Sequence, residues 1–281
     1  MNIGLSTCGK DLTEVLFREY HAAQIGYMEI SVRQELCDKI DYDALKAWAA
    51  AYQICLWSFH LPFEPFDRID ISRPELAEAT LAYYETLIQK AAAIGIRLFI
   101  VHPSGEPIEE VHRPARISCA QKSLAALADV AAKYGAAIAV ENLPRTCLGR
   151  DSGDILALIS ADPRLVVCFD TNHLLEEAPQ NFIRKVGHRI ATTHVSDYDF
   201  LNERHWLPGE GQLDWNTLLA ALKLAGYEGP WLYELGFRAP ASILRPRNLT
   251  CEDFAENARA LFSGSPLAVP GTPVEGLTSW K

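Results

Sequence analysis

The chain has 281 residues, of which 49% are hydrophobic and 22% charged, with a formal net charge of −10. That length suits one large domain or two small ones around a sizeable core, and the acidic balance argues against a nucleic-acid partner, whose recognition leans on clustered Lys and Arg. No run of about eighteen apolar residues is present to cross a bilayer, and the start MNIGLSTCGKDLTE lacks a basic segment followed by an apolar one, so a cytoplasmic protein with no membrane association is expected.

From the amino terminus, short and nearly continuous apolar runs predict strands over 3–7, 27–31, 53–60, 97–102, 137–142, 165–170, 190–196 and 230–235. Such runs suit parallel strands buried on both faces. Helical patterns lie between them, clearest over 75–94, 115–134 and 215–225. Gly95, Gly135 and Gly226 each follow a helical run, where a left-handed residue ends a helix without a Cβ penalty. Asp41, Asp151 and Asp214 stand at helix starts, where a short carboxylate accepts from exposed backbone N–H groups.

Eight strand-helix units predict an α/β fold, a single closed (β/α)8 TIM barrel over 1–264. The alternative, an open doubly wound sheet, calls for a Gly-rich phosphate turn after an early strand, whereas the first turn reads STCGKDLTE. The segment SGSPLAVPGTPVEGLTSWK cannot propagate a helix. It leaves 265–281 as a Pro/Gly-rich tail whose Leu267, Val269 and Trp280 are available to dock on the barrel or on a second subunit of a homo-oligomer. The seven cysteines are odd in number and never spaced C-x-x-C, which points to buried reduced thiols.

In such a barrel the carboxyl ends of the strands converge on one mouth. Four consecutive predicted strands end in Glu141, Asp170, His194 and Glu234. Three carboxylates brought together without a cation would repel one another and raise one another's pKa. One divalent ion resolves that repulsion, and three oxygen donors with one nitrogen and no sulfur favour Mn²⁺ or Mg²⁺, with Co²⁺ or Zn²⁺ compatible. His60 and His102 end earlier strands and face the same mouth, as does Glu29 with a weaker signal.

The segments VENLPR (140–145), CFDTNH (168–173), HVSDYD (194–199), ERHWLPGEGQLDW (203–215) and YELG (233–236), with FHLP (59–62) and VHPSG (101–105), resemble the sugar isomerases and epimerases of the xylose isomerase-like barrel superfamily. The resemblance covers most of the chain. It implies one catalytic metal, Mn²⁺ favoured, on Glu141, Asp170, His194 and Glu234. It also implies that Glu141 and Glu234 act as an acid/base pair on opposite faces of a sugar or keto-sugar, transferring a proton through a metal-stabilised enediolate. His60, His102, His173, Arg204 and His205 are then candidates for holding the carbohydrate, Arg204 through planar bidentate contact.

Three other readings compete. A dehydratase or lyase on a keto-sugar, inosose or dehydroshikimate-like substrate begins with the same proton abstraction, and His205 or His102 would protonate the leaving group. A phosphodiesterase like the apurinic-site endonucleases would use a three-metal cluster on His60, His102, Glu141, Asp170, His173, His194, Glu203, His205 and Glu234, with Glu203 standing where that family has aspartate. A non-catalytic barrel subunit is the third, and the intact ligand set argues against it.

Overall fold

The computed structural model describes residues 1–63 and 68–280; the last residue of the predicted tail, Lys281, lies outside them. Eight parallel strands are present: β1 Ile3–Ser6, β2 Tyr27–Ile30, β3 Cys55–His60, β4 Leu98–Val101, β5 Ala137–Glu141, β6 Val166–Asp170, β7 Ile190–His194 and β8 Trp231–Tyr233. Their order is β7-β6-β5-β4-β3-β2-β1-β8. The sheet meets itself at the β7–β8 seam, where Val195 bridges Tyr233 and its N–H donates to the Leu232 carbonyl at 2.8 Å. This is the expected (β/α)8 barrel.

Each strand is followed by helix: α1 Glu14–Ala22, the short α2 Gln34–Cys37 with α3 Tyr42–Ala51, α4 Pro74–Ala93, α5 Arg113–Ala132, α6 Ser152–Ile159, α7 Pro179–Val186, α8 Trp215–Leu224 and α9 Cys251–Ser263. The expected caps are in place. Asp41, Asp151 and Asp214 accept from the N–H groups of Ala44, Asp154 and Thr217 at 2.9–3.0 Å. Gly95, Gly135 and Gly226 take φ values of 107°, 62° and 77° just past their helices. A side chain there would be forced into the left-handed region, so these positions fix where each helix stops.

Alternation along the strands divides the interior. Phe99, Val101, Val140, Val167 and Phe169 belong to one large apolar cluster with helix residues such as Leu87, Leu124 and Leu158, which lies between sheet and helices. Leu98, Ile100, Ala139 and Cys168, one step along in each strand, form a separate small cluster inside the barrel. Trp57 Nε1 reaches across it to donate to Thr192 Oγ1 at 3.1 Å. Because side chains on a strand repeat every two residues, the inward positions two steps beyond Ile100, Ala139, Cys168, Thr192 and Leu232 are His102, Glu141, Asp170, His194 and Glu234. The barrel's packing therefore aims those polar side chains into the mouth.

The tail docks on its own barrel. Thr272–Pro273 pairs antiparallel with Ile243–Leu244, Trp280 N–H donates to the Leu201 carbonyl at 3.1 Å, and Leu267 packs against the main apolar cluster. Val269, a predicted docking residue, is instead exposed. No helix of the described residues is long and apolar enough to cross a membrane.

Candidate active site

Two side-chain ties set the strand ends before any functional group is considered. Asn142, just past β5, accepts from Asp170 N–H at 2.8 Å and donates to its carbonyl at 2.9 Å. Thr171 donates to the Ser196 carbonyl at 2.6 Å and accepts from Ser196 N–H at 3.0 Å. Together they lock β5, β6 and β7 at their carboxyl ends, where Glu141, Asp170 and His194 lie fully buried.

His194 is the centre of the cluster. Its Nδ1 lies 3.1 Å from Glu141 Oε1, 3.1 Å from Glu234 Oε2 and 4.0 Å from Asp170 Oδ2. Its Nε2 lies 3.1 Å from Glu29 Oε2, which also accepts from Ser58 Oγ at 2.8 Å. Burial opposes a charge on this imidazole, but the Cys168 thiol, Glu234, Glu29 and Glu141 together hold its pKa well above the usual range. Burial likewise raises Glu141 and Glu234, and His194 overrides it, holding both below the ordinary carboxylate range.

Asp170 behaves differently. Burial pushes its carboxyl up, the His173 charge works against that, and Glu141 and Glu234 add to it. Its Oδ1 accepts from Asn172 N–H at 2.6 Å, whereas Oδ2 is buried with no hydrogen-bond partner among the described residues. A buried carboxylate oxygen without a partner is costly. It sits within 4.8 Å of donor atoms on Glu141, His194 and Glu234. That set fits a hard or borderline divalent cation, which would take the orphaned oxygen and relieve the carboxylate repulsion.

The histidines form two further groups. His60 Nε2 and His102 Nε2 lie 3.1 and 3.2 Å from the second oxygen of Glu141, Oε2. His173 and His205 meet at Glu203, whose Oε1 is 3.6 Å from His173 Nε2 and 2.7 Å from His205 Nε2. Besides the first set, two others place donor atoms within 4.8 Å of one another: His60 with Glu141 and His194, and His173 with Glu203 and His205. Burial opposes a charge on His173 and His205, yet Asp170 with Glu203 raises the former to about 10, and Glu203 raises the latter to about 9.

Arg204 is not brought to the site. Its guanidinium pairs with Asp199 at 2.8 Å and donates to the Thr278 carbonyl at 2.9 Å, so it faces the docked tail. Arg204, a candidate for holding the carbohydrate, is not among the residues that line the mouth cavity. The physical cause is local: Asn172 Oδ1 accepts from the N–H groups of Arg204 and His205 at 2.9 and 3.5 Å, and His205 takes a positive φ of 53°. The turn sends His205 inward and its neighbour outward.

Sequence reading missed Arg145 altogether. It holds Glu106 through Nε at 2.9 Å and pairs with Glu203 through Nη1 at 2.9 Å, from a backbone with φ of 55°. Nothing in its sequence neighbourhood signals contacts so far along the chain, although a strained non-glycine residue is a common mark of a functional site. Arg145, Glu203, His102, His173, Glu141 and Glu234 line a cavity of about 210 Å³ at the mouth.

Comparison with known proteins places this geometry in context. Residues 17–250 match the family model described as xylose isomerase-like TIM barrel. An uncharacterised protein of Sinorhizobium fredii is 31% identical over 70 residues, 24% of this chain and 22% of that one, so the match spans under a quarter of that relative. An uncharacterised protein of Methanocaldococcus jannaschii is 22% identical over 79% of this chain and 88% of its own length. Fructoselysine 3-epimerase of Escherichia coli O157:H7 is 30% identical over 91 residues, 32% of this chain and 33% of the enzyme.

Among solved structures, a D-tagatose 3-epimerase-like protein superposes with a TM-score of 0.77 at 19% identity, covering 94% of this chain and 96% of that one. D-psicose 3-epimerase in the presence of D-fructose gives 0.75 at 16% identity, covering 94% and 98%. At such identities these likenesses establish the fold.

Proposed function

The chain belongs to the xylose isomerase-like TIM-barrel family, and from that premise we propose that it is a divalent-metal-dependent epimerase or isomerase of a keto-sugar. The observation that carries this reading is the pairing of Glu141 Oε1 and Glu234 Oε2 on one imidazole nitrogen, His194 Nδ1, at 3.1 Å each, with both glutamates lining the mouth cavity. The epimerases among the structural neighbours and the fructoselysine epimerase relative support the same class.

Glu141, Asp170, His194 and Glu234 would hold the ion, Mn²⁺ favoured by the oxygen-rich donor set. When bound, it supplies Lewis-acid stabilisation of the negative charge that develops on a carbonyl oxygen. The two glutamates carry the proton. Both would serve as carboxylates, the form that binds the ion and the form needed to accept a proton from the carbon beside a carbonyl. One takes that proton and the other returns one to the opposite face, which inverts the centre. His60 and His102 fix the orientation of Glu141 through its second oxygen, leaving Oε1 directed at the shared site. His173 and His205 are held through Nε2 by Glu203 and through Nδ1 by the carbonyls of Asn142 and Glu234, so they border the site as fixed walls. The test is hydrogen exchange at the carbon beside the carbonyl of a keto-sugar in D₂O. Wild type should convert one epimer into the other with deuterium uptake at that carbon, and Glu234→Gln should lose the conversion.

A second reading is favoured by one specific observation, the two additional donor groups around Glu141 and around Glu203. Three ions bound side by side would suit phosphodiester hydrolysis. Metal content separates the two: one ion per chain supports the sugar enzyme, and three support the phosphodiesterase.

A further inference from the structure

The mouth is divided in two. Beside the compartment of about 210 Å³ that holds Glu141 and Glu234 lies a second of about 900 Å³, bordered by residues following β1, β2 and β3. Phe63 lines both. Its ring stacks on His102 with centroids 3.9 Å apart and lies 5.3 Å from His60. His60 lines the larger compartment while its Nε2 touches Glu141. An aromatic ring and an imidazole thus form the wall between the reacting carboxylates and the larger space. Ligand sites commonly measure roughly 300–1,000 Å³. The reacting compartment alone falls below that range, and the larger one reaches it.

The larger compartment carries charge but no reacting group. None of Glu141, Asp170, His194 and Glu234 lines it. Lys10 does, with its Nζ donating to the carbonyls of Ser6, Cys8 and Leu235 at 2.9–3.3 Å and no carboxylate paired with it among the described residues. Arg33, exposed at the start of α2, also forms no ion pair among them, and Asp11 and Glu35 stand on the same lining. Cations and acids together, one ring away from the carboxylate pair, suit a group that carries its own charges.

We infer that this larger compartment is a binding subsite for a polar, charged substituent attached to the sugar, so that the substrate is a keto-sugar conjugate rather than a free monosaccharide. The inference rests on the keto-sugar reading of the mouth. With its sugar end beside Glu141 and Glu234, a conjugate passes the Phe63–His60 wall and places its substituent near Arg33, whose guanidinium forms no ion pair among the described residues.

Deuterium exchange is compared for D-fructose, its amine-linked glycine conjugate and its amine-linked butyl conjugate. The glycine conjugate is expected to show kcat/KM above both others by about tenfold or more. In Arg33→Ala, and separately in Gln34→Trp, which fills the compartment, the ratio of glycine conjugate to D-fructose should collapse towards one. Equal kcat/KM on all three, or a ratio that neither variant changes, overturns the subsite. If none of the three exchanges, the keto-sugar reaction fails and calorimetric binding decides the subsite alone. Glycine-conjugate affinity about tenfold above that of D-fructose, lost in Gln34→Trp, sustains it, and equal affinity overturns it.

Discussion

His194 Nε2 lies 3.1 Å from Glu29 Oε2, both side chains fully buried, on the side of the ring opposite the three carboxylates around Nδ1. A carboxylate there fixes the proton on Nε2 and turns Nδ1 to the candidate ion, the arrangement by which outer partners orient metal-binding histidines. Glu29→Gln should therefore weaken Mn²⁺ binding by roughly 10–100-fold, the usual cost of losing such a partner. Competition against a chelating dye measures it. An unchanged affinity would remove Glu29 from this role.

Glu141→Gln and Glu234→Gln should each lower epimerisation by about 10²–10⁴-fold, the range for losing a positioned acid or base. Single-turnover mass spectrometry in D₂O distinguishes this from weakened binding. Epimerisation at the wild-type rate in either variant would take that residue out of the proton path.

Arg204→Ala tests whether that residue serves the docked tail or the substrate. Removing the guanidinium leaves Asp199 without its charged partner and frees the Thr278 carbonyl. Loss of one member of a buried pair costs about 3–5 kcal/mol. The variant should melt several degrees lower and lose the docked tail's protection from proteolysis. A large rise in KM with an unchanged melting temperature would return Arg204 to the substrate.

How much was legible beforehand follows from the same contrast. The eight strands were readable because both faces of each are buried, which writes continuous apolar runs into the sequence. Glu141, Asp170, His194 and Glu234 were readable because inward alternation ends in them. The direction of a loop residue leaves no such trace. Arg204 and His205 are neighbours that part company at a turn set by Asn172, and Arg145 reaches the site through ion pairs with Glu106 and Glu203. The lone strand-end signal of Glu29 did not disclose its pairing with His194, since that contact spans the barrel.

Asp253 supplies a pH-dependent contribution away from the site. It accepts from Thr250 N–H at 2.7 Å in the capping box of α9 and pairs with Arg247. The Arg247 guanidinium, with Thr250, holds its carboxyl down to about 2. A depressed folded-state pKa contributes stability that is present above the unfolded value, near 3.9, and is lost as pH falls towards the folded one. Wild type should therefore exceed Asp253→Asn in urea midpoint at pH 6, and the gap should narrow from about pH 4 towards pH 2. A gap independent of pH would contradict the assignment.

The most direct measurement of the central claim is deuterium incorporation into a panel of keto-sugars and their conjugates before chelation, after it, and after Mn²⁺ is restored. The account predicts exchange at the carbon beside the carbonyl, its loss on complete metal removal, and its return with Mn²⁺, accompanied by epimerisation in wild type but not in Glu234→Gln. Exchange that persists in the metal-free protein would contradict it.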